Sequence, residues 1–183
     1  TAAATSIITA QSPYIVRTSF TLPQATVPLA DWAAKNGIKR VVTFVADVTL
    51  PRDCEAMVEA AVGQFGGVDI LVNNAGITGG VGILDTSDEL LQRMCAINIA
   101  APFMLCKAAI PTMIERGGGS IINITSIASL RGQGGKGCPA YAAAKAGMNG
   151  LMVDVADSFG KQGIRINCVA PGIIDTPMRE AVI

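Results

Sequence analysis

The sequence predicts an α/β fold: a three-layer, doubly wound parallel sheet of about five strands. Two observations carry this. Short apolar, β-branched runs alternate with segments of helical period along most of the chain. Those runs are apolar on both sides rather than alternating, as in strands covered on both faces. A third observation is that polar and glycine-rich clusters stand just after the runs, where the carboxyl ends of parallel strands present ligand-binding residues.

The elements follow in order. Tyr14–Phe20 (YIVRTSF) reads as a strand, Leu29–Ala34 lies in a helix closed by Asn36-Gly37, and Arg40–Ala46 (RVVTFVA) is a second strand. Pro51–Phe65 is a helix with proline near its start; Cys54, Met57, Val58, Ala61 and Phe65 share one face, and Gly66 ends it. Val68–Asn73 is a buried strand. Ser87–Glu115 is helical, with Pro102 and Pro111 expected to bend or split it. Ser120–Thr125 is a further strand, Pro139–Phe159 a long helix, and Ile164–Ala170 the last strand. No repeat or linker marks a second domain, so residues 1–183 are read as one α/β domain.

Composition narrows the chemistry. The chain has 183 residues, half of them hydrophobic and 15% charged, with 14 basic residues balancing 14 acidic ones. Zero net charge without a basic run argues against nucleic-acid and anionic-membrane partners. Histidine is absent, which removes Ser-His and Cys-His nucleophiles and His-ligated metals; acid–base work falls to Tyr, Lys, Asp, Glu or Cys. Five scattered cysteines without a CxxC pair support no zinc site and no disulfide framework. They read as buried, reduced thiols of a cytoplasmic protein. No uninterrupted apolar run reaches the roughly 18–20 residues of a membrane span. The opening TAAATSIITAQSPYIV has no basic n-region and is not a signal peptide. The start at Thr1, without Met, reads as a processed product or a fragment.

At the strand ends stand Asp47-Val48-Thr49, then Asn73-Asn74-Ala75-Gly76, then Thr125-Ser126. The long helix opens with Tyr141, and Lys145 follows one turn later on the same face. The last strand leads into Pro171-Gly172-Ile173-Ile174-Asp175-Thr176. Each cluster alone has a structural reading: Asn73 tying strands together, Asp47 capping a helix, Asn98 bonding backbone at a kink. Their order along one sheet edge is what carries weight.

This ordered set, with Asn98 in INIAAPF, Ser126 in GGSIINITS, the YAAAK motif and PGIIDT, resembles the short-chain dehydrogenase/reductase family. The resemblance implies a Rossmann-type fold, NAD or NADP, and interconversion of a secondary alcohol and a ketone. It implies catalytic roles for Asn98, Ser126, Tyr141 and Lys145. Cofactor contacts would fall to Asp47, Val48, Asn74, Ala75, Gly76, Tyr141, Lys145, Pro171, Gly172, Ile174 and Thr176. Chemically, hydride transfer to a carbonyl needs a proton donor at the forming alkoxide. A tyrosine of pKa about 10 needs a shift of roughly three units, about 4 kcal/mol, to serve near neutrality. Lys145 is expected to supply part of that shift.

The family's TGxxxGxG turn has no counterpart before Asp47: Thr21-Leu22-Pro23-Gln24 follows the first strand without a glycine. A literal GxGxxG at Gly132–Gly137 begins too far past its strand, and Asp154 and Asp157 beyond it fall inside a helix. That segment reads as the loop between Ser126 and Tyr141. Residues 1–46 resemble type I periplasmic solute-binding proteins of the leucine-binding kind, in which the Thr5 region grips an amino acid. The seam falls near Ala46–Asp47, making the chain a chimera with a short-chain dehydrogenase-like core over 47–183. With Tyr14–Phe20 in the central position, five strands take a flavodoxin-like order, 2-1-3-4-5. Three functions follow: an alcohol/ketone oxidoreductase; a recombined or truncated domain without catalysis because the glycine turn is missing; or, resting on the first quarter of the chain only, a solute-binding module for a small amino acid. A homo-oligomer through the long helices, Ala142–Phe159 in particular, is expected, with a small-molecule alcohol or ketone as substrate.

Overall fold

The computed structural model describes residues 16–17, 35, 46–132 and 137–174. Its sheet consists of β1 (Val16–Arg17), β2 (Ile70–Asn73), β3 (Gly119–Ile124) and β4 (Ile164–Val169), in the order β1-β2-β3-β4. All three pairings are parallel, with Leu71 opposite Val16 and Ile121, and Ile121 opposite Ile166. This matches the 1-3-4-5 part of the expected order; residues 40–45 of the Arg40–Ala46 strand and the Leu29–Ala34 helix lie outside the described residues.

Helix α1 (Pro51–Phe65) starts on proline and ends on Gly66, whose φ of 82° and N–H bond to the Val62 carbonyl close the last turn. Its buried face is Cys54, Met57, Val58 and Ala61; Phe65 is only half-buried. Next come α2 (Asp88–Cys95), a π turn (Ala96–Ala100) and α3 (Ala101–Glu115). The expected break is therefore upstream of Pro102, not at Pro111, which sits inside α3. A proline removes one N–H and crowds the carbonyl four residues back, and a widened turn just before it relieves both. Ser87 caps α2, its hydroxyl accepting from Leu90 N. The long helix α4 spans Pro139–Phe159.

Leu71, Ile121 and Ile166 form one buried row across the sheet, and α1, α3 and α4 contribute Met57, Leu105, Met113 and Val155 to the same core. Right-handed crossovers taken in one direction place successive helices on one face. On the other face Arg165, Asn167 and Val169 are exposed among the described residues.

Asp88–Glu115 holds no uninterrupted apolar run of span length, yet as a helix it is by length and composition long and apolar enough to cross a membrane. Half of that window is buried within the fold, and α3 supplies seven residues to the interior: it serves as the central core helix. The cysteines also divide. Cys54, Cys106 and Cys138 are buried, Cys168 is half-buried and Cys95 is exposed, all unpaired.

Candidate active site

The strand ends meet the start of α4. Thr125 extends the β3–β4 pairing, its N–H and hydroxyl both donating to the Val169 carbonyl at 2.8 and 3.1 Å. Ser126 follows in extended conformation and opens a 3-10 turn, Ile127–Ser129, where its Oγ accepts from Ala128 N at 3.2 Å. Ile127 N donates to the Pro171 carbonyl at 3.0 Å, fastening this turn to the loop after β4.

Pro139 starts α4, so Tyr141 and Lys145 occupy its first two turns. Tyr141 is half-buried. Burial raises its pKa, the Ser126 side chain opposes this through a hydrogen bond that favours the phenolate, and Cys138 adds to the rise. This departs from the expectation that Lys145 lowers Tyr141. The reason is where the ammonium lies: Nζ donates to the Ile124 carbonyl at 2.8 Å and sits 5.8 Å from the Tyr141 ring centroid, over the ring rather than beside its hydroxyl. Lys145 is only 2% exposed, and burial pulls its pKa down to about 8.

Asn98 lies in the π turn, fully buried. Its Oδ1 accepts from Ile77 N at 3.1 Å and its Nδ2 donates to the Ile77 carbonyl at 2.9 Å. Here the backbone-bonding reading of Asn98 holds, and it anchors the loop after β2. That loop runs tight: a Cβ on Gly76 would stand 2.8 Å from Asn98 Oδ1 and 3.3 Å from Lys145 Nζ. Gly76 thus brings the Asn98 and Lys145 side chains to one point. Asn73 donates through Nδ2 to Asn123 Oδ1 at 2.8 Å, tying β2 to β3 inside the sheet.

At the α1 end, Asp47 is exposed and Val48 buried. Asp47 does not cap α1, whose N-cap is Leu50. Its Oδ1 instead accepts from Thr49 N (2.9 Å) and Thr49 Oγ1 (2.7 Å), bonds that hold its carboxyl below the usual range. Asn74 is half-buried and Ala75 buried, at the carboxyl end of β2. Pro171 is half-buried, whereas Gly172, Ile173 and Ile174 are exposed in the loop after β4. Asp175, Thr176, the Thr21–Gln24 turn and the centre of Gly132–Gly137 lie outside the described residues. Sequence reasoning did not find Met148 and Cys168 beside Lys145. Met148, three residues after Lys145 on the same helix face, was the available signal.

The family model for short chain dehydrogenases matches residues 14–183. The chain belongs to the short-chain dehydrogenase family. An uncharacterized short-chain type dehydrogenase/reductase of Sinorhizobium fredii is 44% identical over 130 residues, 71% of this chain and 51% of that protein. The 2-(R)-hydroxypropyl-CoM dehydrogenase of Xanthobacter autotrophicus is 40% identical over 144 residues, covering 77% and 57%. Among solved structures, a short-chain dehydrogenase/reductase from Burkholderia xenovorans superposes with a TM-score of 0.78 at 35% identity, covering 85% of this chain and 57% of that one. The chain thus spans just over half the length of these short-chain dehydrogenase relatives. The match runs through the seam drawn at Ala46–Asp47 and back to residue 14, so the solute-binding resemblance of residues 1–46 gains no support.

Proposed function

We propose that this chain carries the active site of an NAD- or NADP-dependent oxidoreductase that interconverts a secondary alcohol and a ketone. The observation carrying this is the meeting of Ser126, Tyr141 and Lys145 at the carboxyl edge of β3. A nicotinamide dinucleotide supplies or accepts the hydride. The residues at the sheet edge suit such a group: an exposed carboxylate at Asp47 that stays ionised, and main chain at 74–76 and 171–174 close to the strand ends. Gly76 leaves no room for a side chain.

In the reduction direction, Tyr141 Oη gives its proton to the oxygen that becomes the alcohol, and takes it back in oxidation. Ser126 Oγ accepts from Ala128 N, which leaves its one hydroxyl proton for Tyr141 in the free chain and for the substrate oxygen once that oxygen takes its place as acceptor. Lys145 holds a buried ammonium over the Tyr141 ring, fixed by the Ile124 carbonyl, while the hydrogen bond from Ser126 is what favours the phenolate. Asn98, with Ile77, holds the entry for the water that returns protons to Lys145. The compartment proposed is the cytoplasm, which unpaired thiols fit. Phe103 on α3 and Val153 on α4, 55% and 63% exposed, support a homo-oligomer through the long helices.

A second reading, a family domain without catalysis, is favoured by one observation: Thr21-Leu22-Pro23-Gln24 has no glycine to let backbone approach a pyrophosphate. A screen of ketones and secondary alcohols with either cofactor, run on the chain and on Tyr141→Phe, separates the two. Turnover lost in the variant supports the enzyme; equal background in both supports the inactive domain.

A further inference from the structure

The turn that carries Ser126 is fastened on two sides. Toward β4, Thr125 N donates to the Val169 carbonyl at 2.8 Å and Ile127 N to the Pro171 carbonyl at 3.0 Å. Toward α4, a hydrogen-bond relay runs through side chains. Asn149 Nδ2 donates to Ser129 Oγ at 3.2 Å, and Ser129 Oγ donates to the Ser126 carbonyl at 2.6 Å. That carbonyl also accepts from Ser129 N at 2.9 Å, while Ser126 Oγ accepts from Ala128 N at 3.2 Å. Ser129 and Asn149 are both half-buried, and the proposed chemistry uses neither.

The relay has a fixed direction. A carbonyl only accepts, so the single Ser129 hydroxyl proton is committed to Ser126. Ser129 Oγ is then left as an acceptor toward Asn149, which turns that amide with its nitrogen to the turn. Tyr141, Lys145 and Asn149 follow one another at intervals of four residues, so all three lie along one face of α4. One helix face thus carries the phenol, the ammonium and, through Ser129, a hold on the backbone of Ser126.

We infer that Asn149 and Ser129 are positioning residues for Ser126: the relay from amide to hydroxyl to carbonyl sets the serine from the same helix face that carries Tyr141 and Lys145. Ser126 stands in extended conformation just beyond β3, at the start of a turn only three residues long, so it needs such a hold from a longer element. Placement matters at a reacting centre, where a displacement of about 1 Å costs on the order of a hundredfold in rate. That consequence for turnover rests on the proposed role of Ser126 at the substrate oxygen; the positioning itself does not.

The test reads Ser126 itself, without cofactor or substrate. Amide hydrogen exchange is followed by NMR at Ala128, whose N–H donates to Ser126 Oγ, with amides of the β3–β4 ladder as reference. Asn149→Asp keeps the shape but cannot donate while ionised, so Ser129 turns its proton to the new carboxylate and releases the Ser126 carbonyl. Ser129→Ala removes the middle of the relay. The expected result is Ala128 exchanging about tenfold faster in both variants, with the ladder unchanged and no further gain when the two are combined. Ser129→Thr, which keeps the hydroxyl, retains the slow rate. Unchanged Ala128 exchange in the single variants overturns the inference. A rise shared by the ladder, or effects that add in the double variant, overturns it equally. Should Ser129→Ala not fold, Asn149→Asp against the intact chain still decides. Where there is turnover, kcat falls in both variants at constant KM. An intact chain without turnover contradicts the proposed function instead, and the exchange result still decides the positioning.

Discussion

Lys145 and Tyr141 set the terms at the scale of single residues. Tyr141→Phe removes one hydroxyl from a half-buried ring and leaves the helix start intact. It should abolish turnover while the thermal midpoint stays within a few degrees, as measured by circular dichroism beside a steady-state assay. Lys145 has a calculable signature in stability. Its folded pKa of about 8 lies below the usual 10.5, so between those values the unfolded chain holds a proton that the folded chain has released. Stability from this group therefore rises with pH across that window. Denaturant unfolding should show the intact chain gaining on Lys145→Met by up to about 3 kcal/mol between pH 8 and pH 10.5; parallel curves would contradict the buried cation. How legible these residues were in the sequence differs. Spacing alone put Tyr141 and Lys145 on one face, and Asn73 was read as tying strands together, though its partner Asn123 comes only from the strand register. That Lys145 turns to the Ile124 carbonyl, rather than to the Tyr141 hydroxyl, depends on a side-chain rotamer and a neighbouring strand end, which no linear pattern encodes.

Elements here are positioned by backbone contacts that leave no room for a Cβ. Gly118, at the entrance to β3, has φ of 138°, and an added Cβ would lie 2.7 Å from the Gly163 carbonyl oxygen. Gly118→Ala should destabilise the fold by about 2–4 kcal/mol, since strain and a backbone clash combine. Gly150, inside α4 and facing open space, is the contrast. Gly150→Ala should stabilise by about 0.5–1 kcal/mol through helix propensity alone. Chemical denaturation of the two variants checks both signs. Element existence and type were readable because apolar runs and helical periods are long. The break in Asp88–Glu115 was readable as a proline effect but not at its site, because the helix adapts in the turn before Pro102 rather than at the proline itself. Pro111, by contrast, is accommodated within α3.

For the whole molecule, the parallel order of the described strands and a polar sheet edge were legible, since crossover handedness leaves few arrangements. What the sequence misjudged was ancestry at the front: a glycine-poor segment resembled another family, whereas the family match extends back to residue 14. A missing short motif weakens a local likeness without removing the pattern of strands and helices that an extended match follows. The central claim is that this edge seats a nicotinamide dinucleotide. Fluorescence titration of the purified chain with NADH and NADPH at low salt tests it most directly. Saturable binding in the micromolar range, competed by the oxidised nucleotide, is the predicted result. Absence of binding up to millimolar nucleotide would contradict it and leave Ser126, Tyr141 and Lys145 without a hydride to answer.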